Sequence, residues 1–187
     1  MVSLTQLWLA ILLSGVAVFV VSSILHMALP LHKGDYKKLP GEADILEAMR
    51  AQKPSPGQYM FPCPESMADA QTPEMLEKYK QGPVGYAIIL PNGPISMGKN
   101  LALWFIFTLV VSFMTAYVGS FSLEAGATFM QVFRLTGTIA IIAYSVGYIP
   151  DSIWKGLSWS ITAKFMLDGL CYGLATAAVM GLLWPGA

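Results

Sequence analysis

The chain has 187 residues, of which 55% are hydrophobic and only 12% are charged. A soluble domain carries about a quarter charged residues, and here the apolar residues fall into long blocks, so the composition excludes an ordinary soluble domain and predicts several membrane spans. The 11 basic and 11 acidic residues give a formal net charge of zero, which argues against nucleic acid as a partner.

The first predicted element is a membrane span over residues 7–28, followed by Pro30. The residues before it lack the positive charge of a signal peptide, and no small-residue cleavage site follows. We therefore expect a retained first span rather than a signal peptide.

Residues 31–98 are the one sizeable polar segment, and we expect a small α+β cap that is too short for a large core of its own. Acidic residues before an apolar face predict a short helix over 40–52. A Thr-Pro start and a glycine stop predict a second helix over 72–82. The many prolines of 53–66 favour extended chain, and a Pro-Asn-Gly turn within 84–98 favours a β-hairpin.

Three further spans are predicted over residues 101–121, 128–149 and 159–184, with Pro150 ending the third and Pro185 the fourth. Each is long enough to cross a hydrocarbon core of about 30 Å.

The predicted fold is an all-α integral membrane protein, a four-transmembrane-helix bundle with a cytoplasmic α+β cap inserted between helices 1 and 2. The predicted domains are transmembrane helix 1 over 1–30, the cap over 31–98, and transmembrane helices 2–4 over 99–187.

Lysines near the predicted span ends give the orientation, because cytoplasmic flanks carry an excess of basic residues. The first and third connections hold all of these lysines, which predicts that segment 31–98 is cytoplasmic and that both termini lie outside. We expect the plasma membrane, or the inner membrane in a bacterium. The flanking lysines are Lys33, Lys37, Lys38, Lys99 and Lys155.

The predicted spans contain an intramembrane polar site, made up of Asp168, Lys164, Arg134 and Tyr144. Lys164 and Arg134 are long enough to reach an interface, and Arg134 leans away from Asp168. Asp168 is too short, so it must be paired, hydrogen-bonded, hydrated or protonated. We give equal weight to two interpretations of Asp168. In one it is a functional carboxylate, and in the other it belongs to a structural pair that holds spans 3 and 4 together. The hydroxyl groups that could donate to it belong to Tyr144, Ser145, Tyr148 and Thr162.

The fourth span carries small residues at four-residue spacing, which lets helix backbones approach closely. Packing within the bundle is the favoured interpretation, and a contact between copies of the chain is the alternative. The ridge consists of Gly169, Gly173, Ala177 and Gly181.

His26 and His32 are the two histidines of the chain, and Pro30 lies between them. Two imidazoles can ligate a metal or a haem, but these two do not share a helical face, so we favour polar caps at the membrane interface. Asp35 could join His32 at a metal, although no third ligand is evident. We expect no cofactor, with a haem or other tetrapyrrole on His26 as the weaker alternative.

The favoured function is assembly, as an accessory or scaffold subunit of a membrane complex or as a homo-oligomer, with the lipid bilayer and other membrane subunits or itself as partners. The alternative is a small transporter or channel that uses Asp168. A membrane enzyme, or a haem or pigment binder through His26, comes third. No nucleophile elbow, phosphate loop or HExxH motif is present in the sequence, so we do not expect an enzyme.

Overall fold

A computed structural model describes residues 1–186. It is mostly helical, and four of its helices are long and apolar enough to cross a membrane, which confirms the predicted number of spans. The four spans are Leu4–Ala28, Met97–Ser122, Phe129–Lys155 and Trp159–Leu182.

The regular elements follow one another as seven α-helices and two strands. They are α1 (Trp8–Ser23), α2 (Glu42–Gln52), β1 (Gly57–Phe61), α3 (Pro73–Gln81), β2 (Gly85–Ile89), α4 (Met97–Ser122), α5 (Phe129–Ser145), α6 (Ile149–Lys155) and α7 (Trp159–Leu182). The chain forms two compact units. The first comprises Met1–Asp35 and the residues from Ser96 onward, and the second comprises Tyr36–Ile95. The first unit takes in residues 31–35, which the sequence assigned to the cap, because His32 and Asp35 contact α7.

The four long helices form a bundle in which α1 packs against α4 and α7, and α5 packs against α7 and α4. The most extensive pairing is between α5 and α7. A Cβ atom added at Gly169 would lie 2.8 Å from the backbone carbonyl oxygen of Tyr144, and one at Gly173 would lie 2.8 Å from the backbone nitrogen of Ile141. These glycines therefore let the two backbones touch. The other half of the ridge packs on α5 as well, with Gly181 against Phe129 and Ala177 against Gly137.

The third span continues past the proline that the sequence predicted would end it. After α5 the chain makes a 3₁₀ turn over Val146–Tyr148, and α6 then begins with Pro150 in its first turn. Proline is tolerated there because the N–H groups of the first helical turn have no acceptor within the helix. The N–H group that proline lacks would therefore make no helical hydrogen bond. The predicted stop at Pro150 is therefore wrong, and the span ends at Lys155.

The second unit contains α2, α3 and a two-stranded antiparallel sheet. Its strands pair from Gly57 opposite Ile89 to Phe61 opposite Gly85. Residues 84–98 thus do not form the predicted hairpin, because β2 pairs with β1 from the proline-rich segment instead. Prolines 91 and 94 lack the N–H groups that a returning strand would need.

Candidate metal centre

Three side chains from distant parts of the sequence meet at one end of the bundle, where α1 and α5 finish and α4 and α7 begin. They are His26, His32 and Asp168, and one potential ligand atom from each lies within 4.8 Å of the others. The sequence had assigned the histidines and the aspartate to separate sites.

The two histidines come together because the first span ends irregularly. Its last turn, Ile24–Ala28, is π-helical, and the N–H of Leu29 donates to the carbonyl of Ile24 at 3.0 Å. Pro30 then begins a 3₁₀ turn that carries His32 back over His26. The two imidazole rings stack with centroids 4.3 Å apart and planes 19° apart. The two histidines thus stack although they lie on separate helical turns, so the absence of a shared helical face does not keep them apart.

Asp168 faces both rings and is 2% exposed. Its Oδ2 lies 3.0 Å from His32 Nε2 and 3.5 Å from His26 Nε2. The ring N–H direction of His32 is not aligned with this oxygen, and neither carboxylate oxygen accepts a hydrogen bond within residues 1–186. A buried carboxylate without hydrogen bonds is costly, so this arrangement calls for a further partner.

A second carboxylate, that of Asp35, orients His32 from behind. Its Oδ2 lies 2.7 Å from His32 Nδ1, and its Oδ1 accepts a hydrogen bond of 2.5 Å from Lys164 Nζ. The Lys164 ammonium and the His32 ring hold the pKa of the Asp35 carboxyl below its usual value, because both hydrogen-bond to the charged form. A proton on Nδ1 leaves the Nε2 lone pair of His32 free.

Lys164 is therefore paired with Asp35 across the bundle, and the pairing of Lys164 with Asp168 along α7 is not made. Arg134 is exposed on α5 and forms no ion pair with Asp168. None of the four hydroxyl groups proposed as donors, including that of Tyr148, hydrogen-bonds to Asp168. Ser145 bonds to the Met166 carbonyl, Thr162 to Ser152, and the Tyr144 hydroxyl is without a partner in the described chain.

A cavity of about 710 Å³ adjoins the centre, within the size range of ligand pockets. His26 and Asp168 lie in its wall. Its lining includes a cluster of four aromatic rings with neighbouring centroids 5.5–6.4 Å apart. These rings belong to Trp104, Phe107, Tyr144 and Tyr172.

Two of these aromatic residues make polar contacts with other residues of the lining. The hydroxyl of Tyr172 lies 3.2 Å from His26 Nε2, and Trp104 Nε1 donates to Ser22 Oγ at 2.8 Å. Sequence reasoning did not single out Tyr172 or assign Asp35 its orienting role. Tyr172 follows Asp168 by one helical turn and so shares its face, which is a signal that could have found it.

Comparison of the chain with protein-family models, with curated proteins and with solved structures finds no match.

Proposed function

We propose that this protein is an integral membrane protein that binds a divalent transition-metal ion through His26, His32 and Asp168. The observation that carries the proposal is the Asp168 carboxylate, which is buried, lacks hydrogen bonds and faces two imidazoles. A cation between these groups would supply the charge that the carboxylate lacks.

Two of the three separations between donor atoms are compatible with a shared ion. Bonds of about 2.0–2.2 Å at angles of about 90–110° place two ligand atoms roughly 3.0–3.5 Å apart. The separations of 3.0 Å and 3.5 Å between Asp168 and the two rings fall in this range. The hydrogen bond from His32 to Asp35 is the outer-shell contact that metal-bound histidines commonly make.

The donor set selects the class of metal. Two imidazoles and one carboxylate suit Zn²⁺, Fe²⁺, Co²⁺ or Mn²⁺, and sites with three protein ligands keep a position for water or substrate. Because His26 and Asp168 line the cavity, that position is reachable from it. This arrangement favours a metal-dependent enzyme over a purely structural metal site.

The surroundings of His26 favour a single ion over a tetrapyrrole. Its Nε2 has the Tyr172 hydroxyl at 3.2 Å and Asp168 at 3.5 Å, and its ring is stacked on His32. A macrocycle on Nε2 would have to displace these groups, whereas an ion would be bound by them.

Titration of the purified full chain in detergent with Zn²⁺, measured by calorimetry, tests the proposal. We expect one Zn²⁺ per chain in the unaltered protein and at least tenfold weaker binding in both Asp168→Asn and His32→Gln. Asp44→Asn, which changes an exposed aspartate of α2, is the matched control and should bind like the unaltered chain. Equal affinity in all four proteins, or no binding in any, would overturn the proposal.

The membrane, its sidedness and the assembly role stay predictions. Lysines in the first and third connections support a cytoplasmic location for residues 31–98. The α7 ridge lends no support to a contact between copies, because α5 already occupies it. Transport through Asp168 also stays a prediction, and a bound metal ion at that residue fits it equally.

A further inference from the structure

One face of the strand β2 is apolar and exposed. Successive side chains of a strand point to opposite faces of its sheet, and exposed and partly buried residues alternate along β2 with this period. The exposed residues, with the two that continue the alternation beyond the ends of the strand, form what we call the β2 stripe. Its members are 51–70% exposed, and they are Val84, Tyr86, Ile88 and Leu90. Apolar patches of this kind mark contacts with a protein or a membrane.

The neighbouring strand β1 extends this face and adds no charge to it. Met60 lies opposite Tyr86, and Gln58 lies opposite Ile88, so their side chains share the face of the β2 stripe. The sheet has two strands within residues 1–186, and the outer edge of each strand needs polar partners for its N–H and C=O groups. Such a sheet cannot enter hydrocarbon, but it can lie among lipid headgroups with its apolar face turned toward the acyl chains.

An uncharged segment connects the β2 stripe to a membrane span. Residues 82–98 contain no charged side chain, and α4 begins at Met97. Ile95, just before the span, is 70% exposed. Seven residues lead from Leu90 to Met97, and an extended chain of this length reaches at most about 25 Å. The end of the stripe therefore stays near the surface at which α4 enters the membrane.

We infer that the β2 stripe binds the surface of the lipid bilayer, with its side chains at the boundary between headgroups and acyl chains. Continuity with α4 favours lipid as the occupant over a second protein, because the uncharged segment that carries the stripe runs directly into the bilayer. Tyr86 suits this depth, since its ring is apolar and its hydroxyl is polar. None of the side chains of the face is charged, which indicates apolar contact rather than attraction to anionic lipids. This inference rests on the proposed membrane location of the spans and is independent of the metal centre.

Fluorescence quenching in vesicles tests this location. The full chain with Cys63→Ser and Cys171→Ala, which replace its two free cysteines, receives one new cysteine. That cysteine is labelled with bimane, and the protein is reconstituted into phosphatidylcholine vesicles. Phosphatidylcholine with bromine on its acyl chains near the headgroup quenches a probe at the bilayer surface, whereas iodide on both sides of the membrane quenches a probe in water. Ile88→Cys places the probe in the stripe, and Asp44→Cys, on the exposed surface of α2, is the matched control.

We expect brominated lipid to quench the probe at position 88 at least about twofold more than the probe at position 44, and iodide to quench it less. Added phosphatidylserine should leave both results unchanged. If iodide quenches both positions equally, the stripe faces water and the inference is overturned. Protection of position 88 from both quenchers also overturns it, because a protein surface then covers the stripe. Quenching by brominated lipid that requires phosphatidylserine overturns the apolar basis of the contact.

Two further variants separate this inference from membrane insertion and from misfolding. Leu103→Cys places the probe on an exposed position of α4, near the start of the span, and brominated lipid should quench it. Quenching at position 103 but not at position 88 overturns the inference alone, whereas quenching at neither position overturns the membrane location as well. Leu90→Cys lies in the stripe but outside the strand pairing, and it should behave like Ile88→Cys. An unchanged melting temperature in detergent shows that each labelled variant is folded.

Discussion

Asp168 is the residue on which the proposed centre depends. Without a metal its buried carboxylate has no hydrogen bond, so replacing it by the isosteric asparagine removes an unfavourable charge. We expect Asp168→Asn to melt at or above the temperature of the unaltered chain when both are metal-free.

Zinc should reverse this order. Metal present at about 100 times its dissociation constant stabilises the unaltered chain by about 2.7 kcal/mol, and Asp168→Asn should gain little. Thermal unfolding followed by circular dichroism measures both states. If metal-free Asp168→Asn instead melts well below the metal-free unaltered chain, Asp168 has a structural role.

Asp35 acts on the centre through His32. Asp35→Asn keeps the shape of the side chain but weakens the hydrogen bond with His32 Nδ1. Loss of such an outer-shell carboxylate lowers metal affinity by about 10–100-fold. Calorimetry with Zn²⁺ measures the change, and Asp44→Asn on α2 is again the control. Unchanged affinity in Asp35→Asn would mean that His32 is oriented by other contacts.

At the residue scale, the sequence identified most residues of the site. It did not predict that these residues lie close together. Asp168 stood out because a short acidic side chain cannot reach the interface from within a span, and His26 and His32 stood out as potential ligands. Their proximity depends on the register of α7 against the end of the first span. That register is a tertiary contact, and no local pattern around His26 specifies it.

At the scale of elements, the contact between α5 and α7 holds Asp168 and Tyr144 at the cavity. Gly173→Ala would place a Cβ atom 2.8 Å from the Ile141 backbone nitrogen and force the helices apart. We expect a loss of about 1–3 kcal/mol in stability, seen as a lower melting temperature in detergent.

Gly98→Ala is the control for this prediction, because its added Cβ atom on α4 meets nothing within 4 Å. It should be neutral or slightly stabilising, since alanine is the better helix former. Equal melting temperatures for Gly173→Ala and Gly98→Ala would contradict close packing of α5 on α7.

The helices themselves could be predicted, because long apolar blocks specify them locally. Their irregular ends could not. The π-helical turn at Ile24–Ala28 and the continuation through Pro150 depend on how neighbouring helices accommodate the chain. The partner of β2 likewise depends on a long-range pairing with β1, whereas the sequence suggested a local hairpin.

At the scale of the whole molecule, sidedness can be tested with a native cysteine. Cys63 is exposed in the unit Tyr36–Ile95. If this unit is cytoplasmic, a membrane-impermeant maleimide should label Cys63 only after the cells are permeabilised. Glu124→Cys, in the exposed turn between α4 and α5, should be labelled in intact cells when introduced into Cys63→Ser. The opposite pattern would reverse the orientation.

At the scale of the whole molecule we propose that the first span, the turn that follows it and the last span together form one metal centre. X-ray absorption at the zinc edge of the zinc-loaded protein tests this claim most directly. We predict a first shell of nitrogen and oxygen at about 2.0–2.2 Å, with the outer scattering of two imidazole rings that is lost in part in His26→Gln and in His32→Gln. A sulfur shell at about 2.3 Å, or a spectrum without imidazole scattering, would contradict the assignment of His26, His32 and Asp168 as ligands.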